Sequence, residues 1–107
     1  MIFIVVKYSV KPEAADKWLS AVSEFTQATR QEPGNKWFEW YKSVEEPNTF
    51  LLVEGFEDDA GAAHVNSEHF PKGLAAMKPL LAKTPSIVSQ SLPGKSDWDL
   101  MGELVIE

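Results

Sequence analysis

Two histidines are the side chains best suited to exchange protons near neutral pH, and they lie in one short stretch of the chain. His64 and His69 are the only histidines among 107 residues. Imidazole is the side chain whose unperturbed pKa falls in this range. His64 follows the small residues 61–63, which leave room for a ligand beside a helix. His64 is therefore the stronger functional candidate, and the alternative is that both are surface or helix-end histidines.

The spacing of the histidines argues against a shared metal ion. Two side chains that are five positions apart on an α-helix point in well-separated directions, whereas a separation of four positions would place them on one face. His64 and His69 would meet only if a break before Ser67 re-aimed one of them. The chain has no cysteine ligand. It also lacks a phosphate-binding glycine loop, a nucleophile elbow and a dinucleotide fingerprint, so we expect no metal and no cofactor.

A carboxylate interrupts an apolar run. Glu54 lies in the middle of residues 50–56, on the same face as large apolar side chains. If this run forms a tight hairpin with the preceding one, Glu39 falls opposite Glu54. Two carboxylates at that distance raise the pKa of at least one of them, which suits proton transfer. The alternative is that this face meets water, or that Lys7 or Arg30 neutralises the pair.

Aromatic side chains crowd the run that precedes Glu54. Trp37, Phe38, Trp40 and Tyr41 occupy both faces of a predicted strand. Most of this aromatic area belongs to ordinary core and interface burial. In the expected register, Trp37 and Tyr41 share the face of Glu54 and form aromatic walls around a carboxylate. Such a pocket would hold a flat ring.

Composition and charge narrow the class of protein and its partners. The chain is 44% hydrophobic and 24% charged, with a length that predicts one domain over residues 1–107. The 16 acidic residues outnumber the 10 basic ones, so the surface would repel phosphate backbones and no nucleic acid is expected as a partner. The apolar run Ile2–Val6 is too short to span a membrane and lacks the flanks of a signal peptide, which predicts a cytoplasmic protein with no membrane contact.

Hydrophobic periodicity predicts the elements that position these residues. Strands are expected over 2–10, 36–44, 49–56 and 87–92, and helices over 12–32, 60–66 and 67–81. Ser67 is the expected N-cap of the last helix. A hairpin pairing Val44 with Thr49 would place Glu39 opposite Glu54. The order of elements indicates an α+β fold of ferredoxin-like split βαβ type with an antiparallel sheet.

One face of such a sheet lacks a cover. Both helical segments pack on one side and leave roughly 300 Å² of the other side bare, and apolar residues of both parities make that side adhesive. We expect a homodimer through the open sheet face. The alternative is a monomer whose C-terminal tail, residues 94–107, folds over its own sheet. Within that tail, Leu104 to Ile106 are expected to add an edge strand across the dimer.

Four segments of the chain carry a resemblance to a known family: Ile2–Tyr8, Glu32–Asn35 before Glu39-Trp40-Tyr41, Leu52–Phe56 and, above all, His64–Phe70. On these segments, and over nearly its whole length, the chain resembles the antibiotic biosynthesis monooxygenase (ABM) family, in particular its small quinol-monooxygenase-like members. This resemblance implies a dimeric α+β barrel in which two ferredoxin-like sheets face each other. Haem-degrading relatives use an asparagine, a tryptophan and a ligating histidine. Lys7 or Tyr8, His64 and Leu74 stand near those positions, so haem is not implied.

The resemblance implies a cofactor-independent monooxygenase acting on a quinol or polyphenol. A deprotonated ring is electron-rich enough to reduce dioxygen itself, so the protein supplies a base, a positioned ring and a dry cavity. His64 would be the base or a hydrogen-bond donor to the phenolate, and Glu54 its orienting or proton-sharing partner. The remaining implied substrate contacts are Trp37, Tyr41 and Phe70 as walls and Asn66 and His69 as orienting groups. An isomerase on the same fold and a non-catalytic dimeric binding protein are the alternatives.

Overall fold

Four antiparallel strands and a layer of helices make up the chain, of which the computed structural model describes all residues, 1–107. The strands are β1 (Ile2–Ser9), β2 (Asn35–Lys42), β3 (Thr49–Phe56) and β4 (Ser86–Ser91), arranged in the order β2-β3-β1-β4. Helical segments connect β1 to β2 and β3 to β4. The predicted α+β fold of split βαβ type is confirmed. None of the helices has the length and apolar character needed to cross a membrane.

The segment predicted as one helix over 12–32 is divided. A 3-10 helix at Pro12–Lys17 leads into α1 (Trp18–Ala21) and α2 (Ser23–Arg30), with Val22 between them. Proline fixes its own φ angle and has no N–H, which suits a first turn. The predicted apolar stripe persists through the division, because Trp18, Val22 and Phe25 are all buried. The two short helices therefore cover the sheet as one.

The second helical region is also divided, as the sequence predicted, but its cap differs. It contains α3 (Gly61–Val65) and α4 (His69–Met77). Glu68 is the residue before α4, and it makes no side-chain capping bond. The Ser67 hydroxyl instead donates to the carbonyl of His64 at 2.7 Å. The prediction of Ser67 as N-cap is wrong, because a serine hydroxyl bonds equally well to a carbonyl three residues back.

The core lies between the helices and one face of the sheet. Its buried members are Val6, Tyr8, Val10, Ala14, Trp18, Val22, Phe25, Phe38, Phe50, Leu52 and Met77. Trp18 is the centre of an aromatic group, with ring centroids 5.2 Å from Tyr8 and 6.2 Å from Phe50. Each such ring removes about 150–250 Å² from water, so this group supplies several kcal/mol of folding free energy.

Strands β2 and β3 pair one residue away from the predicted register. Phe38 stands opposite Glu54, and the Ser43 amide donates to the carbonyl of Thr49. A slip of one residue moves every side chain of a strand to the other face of the sheet. Glu39 therefore lies on the face away from the helices, and the prediction that it faces Glu54 is wrong.

The open face of the sheet is only partly covered by the chain itself. The ring of Trp98 packs against Trp37 with centroids 5.5 Å apart, and Lys36 donates to the carbonyl of Ser96 at 2.9 Å. The first part of the tail thus covers one corner, as in the monomeric alternative. Beyond it, Leu100 is 97% exposed. Gly102–Leu104 form a 3-10 turn, and no strand is present there within the chain.

Candidate functional site

The division between α3 and α4 aims both histidines at one carboxylate. Nδ1 of His64 lies 2.8 Å from Oε2 of Glu32, and Nε2 of His69 lies 2.6 Å from the same oxygen. A continuous helix would separate these imidazoles. Because α3 ends at Val65 and α4 begins only at His69, the two rings converge. The expectation that their spacing keeps the two histidines apart is therefore wrong. The helix break before Ser67, which is the one exception expected from the sequence, is present and brings the histidines together.

Glu32 is the site residue that sequence reasoning missed. It follows the end of α2 and precedes the turn at Pro33 and Gly34. A Cβ atom at Gly34 would stand 2.3 Å from Cβ of Ala60, so only glycine allows this turn to pack against the start of α3. That close approach brings Glu32 to His64. The signal in the sequence was the acid immediately before a Pro-Gly turn.

Glu54 occupies the other side of His64. Its Oε1 lies 4.0 Å from Nε2 of His64, beyond direct hydrogen-bond range. The side chain points into the helix-covered face, and the residue is only 5% exposed. Burial, and then the negative charge of Glu32, raise the pKa of Glu54 to about 8. The carboxyl therefore carries a proton at neutral pH, and His64 stands between a carboxylate and a carboxylic acid.

Neither of the cations considered from the sequence neutralises Glu54. The Lys7 ammonium lies 3.5 Å from a carboxylate oxygen of Glu46 on the surface. Arg30 donates through Nε to the carbonyl of Phe38 at 3.0 Å. Burial without a counter-charge is thus the reason that the acid of Glu54 holds its proton.

A phenylalanine shell surrounds His64. The ring centroids nearest to it belong to Phe56 at 4.9 Å, Phe70 at 5.2 Å, Phe25 at 5.8 Å and Phe38 at 6.2 Å. Phe70, which the sequence predicts as a wall of the substrate pocket, is one of these neighbours of His64. The other three come from α2, β2 and β3. This shell keeps water away from the imidazole and strengthens its electrostatic interactions.

Three other predicted site residues lie elsewhere. Trp37 and Tyr41 lie on the open face of the sheet. The prediction that they line the Glu54 pocket is wrong because β2 is shifted by one residue from the predicted register, which places these side chains on the opposite face. Tyr41 donates to Glu39 at 3.0 Å, and that hydrogen bond raises the pKa of Tyr41. Asn66 is exposed just beyond the C-terminal end of α3.

His69 links this cluster to a groove between α2 and α4. The groove has a volume of about 260 Å³, and His69 and Phe25 are among its lining residues. The side chain of His69 is 23% exposed, against 7% for His64. The contact with Glu32 uses Nε2 of His69, and Nδ1 has no hydrogen-bond partner within the protein. The cluster therefore meets the surface through His69.

The same three residues carry a donor set that could hold a divalent cation. One ligand atom from each of Glu32, His64 and His69 lies within 4.8 Å of the others. Neighbouring ligands of a tetrahedral zinc ion stand about 3.4 Å apart, whereas the nitrogens lie 2.6 and 2.8 Å from the carboxylate oxygen. These are hydrogen-bond distances. In this arrangement the carboxylate, which can only accept hydrogen bonds, takes one from each of the two imidazoles.

Comparison with known proteins agrees with this fold. The family described as "Antibiotic biosynthesis monooxygenase" matches residues 1–76. The Bacillus subtilis (strain 168) protein named "Putative monooxygenase YcnE" is 32% identical over 93 residues, which cover 86% of this chain and 98% of that protein.

Solved structures extend the agreement to three dimensions. A crystal structure of an antibiotic biosynthesis monooxygenase superimposes with a TM-score of 0.77 at 25% identity, covering 86% of this chain and 98% of that one. Rv0793 from Mycobacterium tuberculosis has the same fold, with a TM-score of 0.78 at 16% identity over 90% of this chain and 98% of that one. The chain therefore belongs to the antibiotic biosynthesis monooxygenase family.

Proposed function

We propose that this protein is a cofactor-independent monooxygenase acting on a small aromatic substrate such as a quinol or polyphenol. Family membership and the name of the Bacillus subtilis relative support the reaction class. The observation that carries the proposal is the position of His64 between Glu32 at 2.8 Å and Glu54 at 4.0 Å, inside a shell of phenylalanine rings. Such a site moves protons in a water-poor environment.

The proposed chemistry needs proton transfer from the protein and electrons from the substrate. A hydroquinone and one dioxygen give a hydroxyquinone and one water, so the ring is oxidised and dioxygen is reduced. Loss of the phenolic proton leaves the electron pair on the oxygen and makes the ring electron-rich. The proton is needed again when the O–O bond breaks and water departs. A base that returns its proton therefore serves both steps.

His64 and Glu54 have complementary parts in this cycle. The Nδ1–H of His64 is committed to Glu32, which leaves Nε2 on the side of Glu54 to accept or share a proton. Glu54 holds a proton at neutral pH because burial raises its pKa to about 8. It is therefore suited to donate a proton when water forms, and His64 to share it.

Oxygen uptake tests the proposal directly. Purified protein would be incubated with a panel of hydroquinones and catechols in the presence of EDTA, with oxygen consumption and product mass recorded. We expect a product that gains one oxygen atom, and a loss of rate of about 100-fold or more in the His64→Gln, Glu54→Gln double variant. Glu13→Gln, an exposed change in the first helical turn, is the matched control and should leave the rate unchanged.

The outcomes separate the alternatives. Turnover that proceeds equally well without dioxygen would indicate an isomerase that uses the same proton-transfer groups. Saturable binding with no product would indicate a binding protein. Unchanged oxygen uptake in the double variant would contradict the assignment of His64 and Glu54.

We also propose that the protein works as a homodimer joined through the open sheet face. That face carries partly exposed apolar side chains, including Val5 and Val53, and the more exposed Val88. The tail covers only the corner near Trp37. An apolar surface of this kind is adhesive in water, and two copies related by a twofold axis would bury it.

A further inference from the structure

We infer that His69 and Glu32 form a general-base dyad serving a substrate-binding groove between α2 and α4. The inference rests on the proposed function. It adds the place where the ring binds, the nitrogen that takes the phenolic proton and the size of substrate that fits.

Hydrogen bonding orients His69 for this role. Its Nε2 lies 2.6 Å from Oε2 of Glu32. Because a carboxylate only accepts hydrogen bonds, Nε2 carries the hydrogen, and the lone pair on Nδ1 is left to accept a proton. His69 lines the groove, whereas His64 is buried and is not among the lining residues. A ligand in the groove therefore reaches His69 without moving the phenylalanine shell.

The carboxylate of Glu32 supports the protonated state of the dyad. When Nδ1 of His69 accepts the phenolic proton, the O–H bond breaks, an N–H bond forms and the electron pair remains on the phenolate oxygen. The imidazolium so formed stands beside the Glu32 carboxylate, which stabilises it. His64 donates to the same oxygen from the other side and holds the carboxylate in place. Glu32 also connects His69 to the pair of His64 and Glu54.

The groove fits a single ring. Its volume of about 260 Å³ is below the range of about 300–1,000 Å³ typical of drug-sized ligands. Its lining includes the small residues Ala28, Gly73 and Ala76, which leave room for a ligand, and the edge of the core at Phe25. A Cβ atom at Gly73 would stand 2.6 Å from Phe25, so the two helices already approach as closely as glycine permits.

Charged residues at the groove select for hydroxylated rings. Lys72 supplies an ammonium that favours a phenolate, and Glu24 and Glu68 supply carboxylates that accept from a second hydroxyl. The substrate class is therefore a dihydroxybenzene.

Binding of para-nitrophenol tests the dyad without turnover, because this phenol ionises near neutral pH and its anion is yellow. We expect saturable binding to wild type with a rise in the anion's absorbance at fixed pH. His69→Gln should remove that rise, because an amide accepts no proton. Ala76→Leu should abolish binding by filling the groove, while Ala75→Leu, an exposed position beside it on α4, should behave as wild type. Ala28→Leu repeats the groove test if Ala76→Leu fails to fold.

Turnover of hydroquinone supplies the second readout. We expect His69→Ala to lower kcat/KM about 100-fold or more, and added imidazole to restore part of the rate by occupying the vacated space. Glu32→Gln should lower kcat more than it raises KM and shift the pH profile of kcat, since it acts through His69. Glu32→Gln should gain nothing from imidazole.

The results separate this inference from the proposed function. Oxygen uptake that depends on His64 and Glu54 but is unchanged by His69→Ala and Ala76→Leu would contradict substrate binding in the groove. It would still support monooxygenase activity. Groove-dependent binding of para-nitrophenol without any oxygen uptake would overturn the monooxygenase and support the dyad. Absence of both would overturn the dyad.

Discussion

Glu32 and His64 are far apart in the chain, yet Oε2 of one lies 2.8 Å from Nδ1 of the other. This contact joins the end of α2 to α3 and fixes the orientation of a histidine that is only 6% exposed. The second oxygen of Glu32, Oε1, is buried without a hydrogen-bond partner. The carboxylate is thus retained by its two imidazole partners, His64 and His69.

Removing the shared carboxylate should destabilise the fold. Glu32→Ala leaves the buried Nδ1–H of His64 without an acceptor, which costs about 1–3 kcal/mol. Urea denaturation would measure the free energy of unfolding. Glu24→Ala, an exposed acid in the first turn of α2, is the control and should change stability by less than about 0.5 kcal/mol. Equal stability of the two variants would contradict the buried hydrogen bond.

The buried acid at position 54 predicts a pH-dependent stability. Its pKa is about 8 in the folded chain and 4.5 in the absence of perturbation. Between these values the folded protein holds a proton that the unfolded chain releases, so stability falls as pH rises through this window and levels off above it. Glu54→Gln resembles the protonated acid and removes this dependence. The free energy of unfolding of the variant, measured relative to that of wild type, should therefore rise by about 2–4 kcal/mol between pH 4 and pH 9.

Wild type and Glu54→Gln are compared at each pH, so that the contributions of groups distant from Glu54 cancel in the difference. His64, Glu32 and Tyr8 face the same region and remain coupled to Glu54. A difference in unfolding free energy that stays constant from pH 4 to pH 9 would show that Glu54 has the same pKa in the folded and the unfolded chain, and would contradict the raised pKa.

A glycine in α4 should resist replacement by alanine. Alanine in a helix interior usually stabilises by about 1 kcal/mol relative to glycine. At Gly73 the new methyl group would stand 2.6 Å from the buried ring of Phe25, and overpacking of this kind costs about 1–3 kcal/mol. We therefore expect Gly73→Ala to lower the melting temperature. Gly102→Ala meets no atom within 4 Å and serves as the control; a higher melting temperature for Gly73→Ala would contradict the contact.

A charge on the open sheet face should prevent self-association. Val53 pairs with Val5 on that face, and a lysine there would be desolvated in the proposed interface. Sedimentation velocity should show a dimer for wild type and a monomer for Val53→Lys. Val44→Lys makes the same change at a residue that is 98% exposed in the β2–β3 link, and it should remain dimeric. A wild-type protein that stays monomeric at high concentration would rule out the interface.

Local pattern was enough to determine the elements of this protein. The strand expected over 49–56 is β3 as observed, and the apolar stripe of Trp18, Val22 and Phe25 faces the core. Alternation and helical periodicity are properties of neighbouring residues, so they survive without knowledge of the tertiary structure. The same reasoning placed Glu54 among apolar side chains, where the structure buries it.

The hydrophobic pattern of the sequence did not determine the pairing register of β2 and β3. β2 has aromatic side chains on both faces, including Trp37, Phe38 and Trp40, so a slip of one residue exchanges one aromatic face for another. Only the packing of Phe38 into the core, where it is 1% exposed, and of Trp37 over Gly55 selects the observed pairing. That choice moved Trp37 and Tyr41 away from the candidate site.

The sequence by itself determined the order of strands and helices and supplied two histidines and a buried acid. Only the tertiary structure decided that His64 and His69 share Glu32. Their meeting depends on the break between α3 and α4 and on the close packing of Gly34 against Ala60. Hydrogen bonds between residues distant in the chain form only when packing of the whole domain brings their atoms within about 3 Å. The hydrophobic periodicity of a sequence does not predict such distances.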